Sequence, residues 1–112
     1  MTVGIDLSPE HRRIVLDLLA EHLPQGAKTW VFGSRATGRA RRYSDLDLAI
    51  DAGRRLTLDE SAMLREAFEE SDLPYRVDIV DWHAIDGRFR SLIEAERTPL
   101  NREGQARASG GS

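Results

Sequence analysis

The chain has 112 residues, of which 40% are apolar and 31% are charged, and its net charge is -3. This length fits one domain, and the apolar share is too high for a disordered chain. Because positive and negative charges are nearly balanced, general nucleic-acid binding is not expected. The absence of cysteine excludes a disulfide scaffold, a zinc–cysteine site and thiol catalysis, and it fits a cytoplasmic location. No signal peptide is expected, and no apolar run approaches the roughly 20 residues that span a bilayer.

The first part of the chain predicts a helix, a strand and a second, short helix. Ser8 followed by Pro9 is typical of a helix start, because serine caps free N–H groups and proline suits the first turn. Apolar residues at helical spacing continue this helix to Leu23. Lys28–Phe32 is short, β-branched and aromatic, which predicts a strand. Residues 35–44 are small and basic, and they predict a short helix followed by a loop.

The rest of the chain predicts two more strands and two more helices. Asp45–Asp51 alternates leucine or isoleucine with aspartate or alanine, as a strand with one buried face does. Thr57 and Glu60 have the offset of a capping box, which predicts the start of the next helix. Arg76–Asp81 predicts the third strand, and the last helix is expected to end near Thr98.

This alternation of helices and strands predicts an α/β (α+β) fold, in which helices cover a small mixed sheet. Residues 1–100 are expected to form a single domain. Residues 101–112 are rich in Gly, Ser, Ala and Arg, a composition that is typical of a flexible tail.

A glycine–serine pair follows the first predicted strand and has the features of a phosphate-binding turn. Gly33 has no Cβ, so the backbone can approach a ligand closely there. Ser34 offers a hydroxyl and free N–H groups at a predicted helix start, an arrangement that suits phosphate. The segment that follows contains no acidic residue before the next strand. Its arginines are Arg35, Arg39, Arg41 and Arg42, and each could equally be an exposed, solubilising residue.

Three aspartates form the candidate metal site. Asp45 and Asp47 share one face of the second predicted strand, with Cα atoms about 6.6 Å apart at roughly 3.3 Å per residue. Asp78 lies between apolar residues in the third predicted strand, where its charge needs a partner. If the two strands are neighbours, the three carboxylates converge. Such a set suits two Mg²⁺ ions, which bind carboxylate and phosphate oxygens together and promote in-line phosphoryl displacement.

Other interpretations of these aspartates stay open at the level of the sequence. Asp45 and Asp47 could lie on the solvated face of an edge strand. Asp78 could form a salt bridge, for example with Arg76. Asp81 is a rival for the third carboxylate, although it projects to the opposite strand face from Asp78.

The complete pattern resembles the nucleotidyltransferase superfamily that includes DNA polymerase β. The pattern consists of Gly-Ser, ten further residues, Asp-x-Asp and a later single aspartate in a strand. Its members in this chain are Gly33, Ser34, Asp45, Asp47 and Asp78. Within the superfamily, the chain resembles the minimal nucleotidyltransferases, which are the antitoxins of HEPN–MNT toxin–antitoxin pairs. The resemblance implies a polymerase β-like nucleotidyltransferase fold.

The resemblance also implies a role for each site residue. Gly33 and Ser34 would hold the β- and γ-phosphates of ATP, and Asp78 would help to deprotonate the attacking hydroxyl. The expected nucleotide-binding residues are Gly33, Ser34, Arg35 and Ser44. The expected catalytic residues, which would also bind two Mg²⁺ ions, are Asp45, Asp47 and Asp78.

The function implied by the resemblance is transfer of AMP from ATP to a hydroxyl, expected to be that of a tyrosine, on a cognate HEPN RNase toxin. The chain would then be the antitoxin of a type VII-like system, with the toxin and ATP as partners. Neither a membrane nor direct nucleic-acid binding is expected. One alternative is an antitoxin that neutralises its toxin by binding alone. Another is a nucleotidyltransferase that modifies a small molecule or nucleic acid through a separate acceptor subunit.

Overall fold

The computed structural model describes residues 5–100, in which helices and strands alternate along the chain. The helices are Pro9–His22 (α1), Ser34–Thr37 (α2), Leu58–Glu69 (α3) and Gly87–Glu96 (α4). The strands are Lys28–Phe32 (β1), Leu46–Asp51 (β2), Val77–Asp81 (β3) and Thr98–Pro99 (β4), and a short 3-10 turn, Trp82–Ala84, follows β3. The predicted α/β (α+β) class is confirmed, whereas the predicted tail, 101–112, lies outside the described residues. Within the described range, no helix is both long and apolar enough to cross a membrane.

Local side-chain hydrogen bonds fix where α1 and α3 begin. The Ser8 hydroxyl accepts a hydrogen bond of 3.1 Å from the N–H of His11. At α3, the Thr57 hydroxyl accepts from the N–H of Glu60 (3.0 Å), and the Glu60 carboxylate accepts from the N–H of Thr57 (2.8 Å). These bonds satisfy N–H groups that a helix leaves without partners in its first turn. Both predicted helix starts are therefore confirmed.

The strands of residues 5–100 form one mixed sheet in the order β3-β2-β1-β4. β2 runs antiparallel to β1 and parallel to β3, and the short β4 pairs antiparallel with the other side of β1. In this register Asp47 of β2 lies opposite Phe32 of β1 and opposite Asp78 of β3. A parallel pair needs a crossover connection, which here contains α3. The pairing aligns two of the predicted site aspartates on neighbouring strands.

The alternating residues of β2 divide between the two faces of the sheet, as the sequence predicts. Leu46, Leu48 and Ile50 are fully buried on one face, in the core that also includes residues of α1 and α3. Ala49 is fully buried on the other face, in a second cluster with Ile93 of α4. Since side chains alternate along a strand, Asp47 shares this second face with Ala49. Helix α4 therefore packs on the side of the sheet that carries the aspartates.

β2 and β3 each begin one residue later than the sequence predicts. The N–H of Leu46 donates to the carbonyl oxygen of Arg76 with a length of 2.9 Å, and the paired ladder begins beyond that bond. Asp45 therefore lies in the loop before β2, and Arg76 lies before β3. This position frees Asp45 from the strict alternation of a strand.

Candidate active site

The turn at Gly33 forms one wall of the candidate site. The residue has φ 78° and ψ -155°, a backbone conformation that is essentially restricted to glycine. A Cβ built on Gly33 would overlap the Oδ2 atom of Asp47. The sequence predicts a close approach to a ligand at this glycine, and the group that the structure places against it is the Asp47 carboxylate of this chain.

Asp47 is at the centre of a group of negative charges. It lies opposite Asp78 in the parallel register, and neighbouring strands are about 4.8 Å apart. Burial is the largest cause that raises the pKa of Asp47 from 3.8 to about 6. The charges of Asp78, Asp45 and Glu96 add to this rise of the pKa, in that order. The structure therefore brings the three predicted aspartates into electrostatic contact and adds a fourth carboxylate.

Asp78 takes part in the salt bridge that the sequence left open as an alternative. The Nε atom of Arg76 lies 3.4 Å from Oδ1 of Asp78, and the two side chains are 75% and 44% exposed. An ion pair this exposed contributes little to stability and is easily broken. The salt bridge consequently leaves Asp78 accessible to a ligand.

Asp81, the rival third carboxylate, has a structural role. Its Oδ2 atom accepts a hydrogen bond of 2.7 Å from the N–H of Leu56, and its Oδ1 atom accepts one of 3.0 Å from the N–H of His83. It pairs with Ile50 of β2, whose side chain lies on the core face. Asp81 therefore belongs to the opposite face from Asp47 and Asp78, as the sequence predicts.

The acids do not form a finished metal site. In the part of the chain that the structure describes, no three Asp, Glu or His side chains are grouped closely enough to hold a metal ion. Their chemistry nevertheless fits a hard divalent cation, because all the donors are carboxylate oxygens. Burial and the neighbouring acids together raise the pKa of Asp47, and a bound cation would offset both effects. The predicted carboxylates are therefore suitable as ligands, although they are not already arranged around an ion.

Arg35 occupies a different position from the one predicted for a nucleotide ligand. Its side chain is only 4% exposed, and its guanidinium lies 4.0 Å from the centre of the Tyr75 ring. The guanidinium donates hydrogen bonds of 2.8–3.2 Å to the carbonyl oxygens of Asp6, Arg42 and Ser44. With its donors used in this way, the guanidinium of Arg35 fixes the loop that precedes β2.

Ser44 is also part of that loop. Its hydroxyl accepts a hydrogen bond of 2.7 Å from the N–H of Arg41, and its carbonyl oxygen accepts from Arg35. Ser34, in contrast, directly follows Gly33 at the start of α2 and is only partly buried. Of the four predicted nucleotide-binding residues, Gly33 therefore lies against the Asp47 carboxylate and Ser34 directly follows it, whereas Arg35 and Ser44 support the loop.

Glu96 is a residue of the site that the sequence interpretation missed. Its Oε1 atom accepts a hydrogen bond of 2.7 Å from the N–H of Gly33, and its charge acts on Asp47. It stands in the last turn of α4, where a glutamate would ordinarily face solvent. The packing of α4 on the aspartate face of the sheet brings Glu96 to the site. That packing depends on tertiary contacts, so no local pattern in the sequence predicts it.

The assignment of Arg35 leads to a testable expectation. Arg35→Lys should lower the free energy of unfolding by about 2–3 kcal/mol, because lysine leaves buried carbonyl oxygens without a partner. Urea denaturation measures this loss. Arg39→Lys, at an exposed arginine of the same segment, is the matched control and should change stability little. A loss of nucleotide affinity without a loss of stability in Arg35→Lys would instead identify Arg35 as a ligand.

Most of the chain matches a known protein family. Residues 16–103 match the family model described as polymerase beta, nucleotidyltransferase. The probable protein adenylyltransferase MntA of Haemophilus influenzae is 44% identical over 89 residues, which are 80% of this chain and 77% of that protein. All the predicted site residues lie within the segment that matches the family model.

Solved structures give a consistent result. A chain of a toxin–antitoxin structure with AMP-PNP matches with a TM-score of 0.70 and 25% identity, over 80% of this chain and 71% of that chain. A structure of the tri-AMPylated Shewanella oneidensis HEPN toxin in complex with its MNT antitoxin matches with a TM-score of 0.62 over 80% of this chain and 67% of that chain. At 22% identity, the second likeness concerns the fold alone.

Proposed function

The chain belongs to the polymerase beta nucleotidyltransferase family, and from this membership we propose that it transfers AMP from ATP to a tyrosine hydroxyl of a HEPN toxin. The reaction depends on Mg²⁺, and the modification silences the toxin, so that the chain acts as an antitoxin. The observation that carries this proposal is the position of the Asp47 carboxylate, directly against the Gly33 turn and opposite Asp78.

Each part of this arrangement has a task in the proposed reaction. The backbone at Gly33 and the hydroxyl of Ser34 bind phosphate oxygens of ATP. Asp45, Asp47 and Asp78 would hold the divalent cation, which when bound neutralises phosphate charge and favours in-line displacement. The carboxylate of Asp78 accepts the proton of the attacking hydroxyl. The oxygen of that hydroxyl then bonds to the α-phosphorus, the bond from that phosphorus to the oxygen shared with the β-phosphorus breaks, and pyrophosphate leaves.

The carboxylates of Asp45, Asp47 and Asp78 supply the chemistry of the proposed site. Such transfer requires mainly positioning and charge neutralisation, so few protein groups are needed. The raised pKa of Asp47 supports this role, because a carboxylate that is costly to ionise in the free protein gains most when a cation arrives.

The acceptor is proposed to be a protein because a similar structure contains a protein partner. The structure with AMP-PNP, 25% identical over the matched part, is of a toxin–antitoxin pair. The 44% identical relative is a probable protein adenylyltransferase. These findings support a toxin as the partner of this chain and favour protein modification over a small-molecule acceptor.

A measurement of the mass of the toxin tests the proposal. We expect that incubation of the purified chain with its cognate toxin, ATP and Mg²⁺ adds one or more AMP units to the toxin, as measured by intact-protein mass spectrometry. Peptide mapping should locate the modification on tyrosine. Parallel reactions with EDTA or without the chain should give unmodified toxin.

A different pair of results would identify the binding-only alternative. In that case the toxin gains no mass, yet it co-elutes with the chain in gel filtration and loses its RNase activity without ATP. This outcome would overturn the enzymatic proposal while retaining the antitoxin function.

A further inference from the structure

Glu96 connects the end of α4 to the turn that is proposed to bind phosphate. Its Oε1 atom accepts the hydrogen bond from the Gly33 N–H at 2.7 Å, a length typical of a charge-assisted bond. In the proposed function, that N–H faces a phosphate oxygen of ATP. One N–H group pointing at a carboxylate is not free for a phosphate, so the two anions compete for the same donor.

The charge of Glu96 reinforces this competition. Glu96 stands close enough to Asp47 for its charge to act on that carboxylate, and Asp78 and Asp45 contribute further negative charge to the same place. When a triphosphate approaches this turn, the Gly33 N–H is therefore already bonded to the Glu96 carboxylate. The neighbouring acids also repel the triphosphate.

The backbone beside Glu96 is held firmly. The guanidinium of the next residue, Arg97, lies 4.1 Å from the ring centre of Trp30 and 5.0 Å from that of Trp82. The N–H of Arg97 also donates to the carbonyl oxygen of Ile93 at 2.8 Å. Because these contacts anchor the end of α4, the Glu96 carboxylate can leave Gly33 by rotation of its side chain while the helix stays in place.

We propose that Glu96 is a further specificity-determining residue of the nucleotide site, whose carboxylate occupies the Gly33 N–H until a triphosphate displaces it. This inference rests on the proposed function, since it assumes that Gly33 receives phosphate. Glu96 then sets the affinity for the nucleotide: a weak anion does not displace it, whereas a triphosphate with its higher charge and metal does.

The test is the affinity for AMP-PNP, measured by isothermal titration calorimetry with Mg²⁺ and again in EDTA. Glu96→Gln keeps an acceptor for Gly33 but removes the charge, and it should bind AMP-PNP about three- to tenfold more tightly than the wild type. Glu96→Ala frees the Gly33 N–H and should bind AMP-PNP at least as tightly as Glu96→Gln does. Glu94→Gln, an exposed position on the same helix, is the matched control and should bind as the wild type does.

An NMR experiment gives an independent readout of the same contact. The amide resonance of Gly33 should shift in Glu96→Ala, and addition of AMP-PNP to the wild type should shift it as well. A resonance that responds to AMP-PNP only in the variant, or not at all, would contradict displacement.

The possible failures are distinct. A wild type that binds AMP-PNP while both Glu96 variants bind it equally or more weakly overturns the role of Glu96 and leaves the proposed function intact. A wild type without affinity for AMP-PNP overturns nucleotide binding as proposed, and variants that also fail to bind overturn the role of Glu96 with it.

Discussion

Asp47→Asn is expected to abolish AMP transfer and, at the same time, to raise the melting temperature of the metal-free protein at pH 7. The activity should fall by roughly a thousandfold or more, because the residue is proposed to hold the cation that stabilises the transferring phosphoryl group. The stability should rise because burial and neighbouring acids disfavour the Asp47 charge in the folded state. Asparagine has nearly the same shape and no charge.

The effect on stability has a defined pH dependence. The folded-state pKa of Asp47 is about 6, above the ordinary value of 3.8. The folded protein therefore holds this proton more tightly than the unfolded chain, and the stability linked to Asp47 is full below pH 3.8 and is lost as the pH rises through 6. The gain from Asp47→Asn should accordingly be largest at pH 7 and disappear near pH 4.

Differential scanning fluorimetry in EDTA at several pH values measures this gain. Asp72→Asn, at an exposed aspartate, is the matched control and should show no such change between pH 4 and 7. Addition of Mg²⁺ should then raise the melting temperature of the wild type and leave that of Asp47→Asn unchanged. A variant that is less stable than the wild type at pH 7 would mean that Asp47 already has a favourable partner in the free protein.

Gly33→Ala is expected to destabilise the protein and to inactivate it. The alanine Cβ would overlap the Asp47 carboxylate, and the residue would keep a positive φ of 78° that side chains disfavour. Together these should lower the free energy of unfolding by about 2–4 kcal/mol. Transfer should fall as well, because any relief of the overlap must move the Asp47 carboxylate or the turn.

Gly38→Ala separates the two causes. Gly38 has a φ of 80°, and a Cβ there would meet no atom within 4 Å, so only the backbone cost of about 1–2 kcal/mol is expected. Chemical denaturation measures the loss of unfolding free energy in both variants. The extra loss in Gly33→Ala is the part caused by the overlap of its Cβ with the Asp47 carboxylate. Compared with Asp47→Ala alone, the double variant Gly33→Ala with Asp47→Ala should lose only the backbone cost, and it should remain inactive. Equal losses in the two single variants would show that Asp47 does not confine the turn.

Local signals in the sequence predicted much of the framework. Ser8 before Pro9, and the Thr57–Glu60 pair, mark helix starts through hydrogen bonds within a few residues, so no distant contact is needed. The alternation along β2 predicted its two faces because one of them supplies the core. The same alternation placed Asp81 away from the aspartate face.

The parts of the site that the sequence did not predict depend on contacts between distant segments. Glu96 meets Gly33 across 63 positions of the chain, and nothing in the pattern of α4 distinguishes it from a solvated glutamate. Arg35 is among the nucleotide-binding residues expected from the resemblance. The carbonyl oxygens that surround it come from a loop and from Asp6, whose positions only the folded chain defines.

The parallel pairing of β2 with β3 has a consequence for how the protein can diverge. The alignment of Asp47 with Asp78 is set by hydrogen bonds between the strands, so it does not depend on the length of the connection that contains α3. A residue gained or lost within that connection leaves the two acids together, whereas one gained or lost inside either strand turns an acid towards the core. Changes in the length of the crossover should therefore leave the two acids together, whereas a change in the number of residues within either strand should separate them.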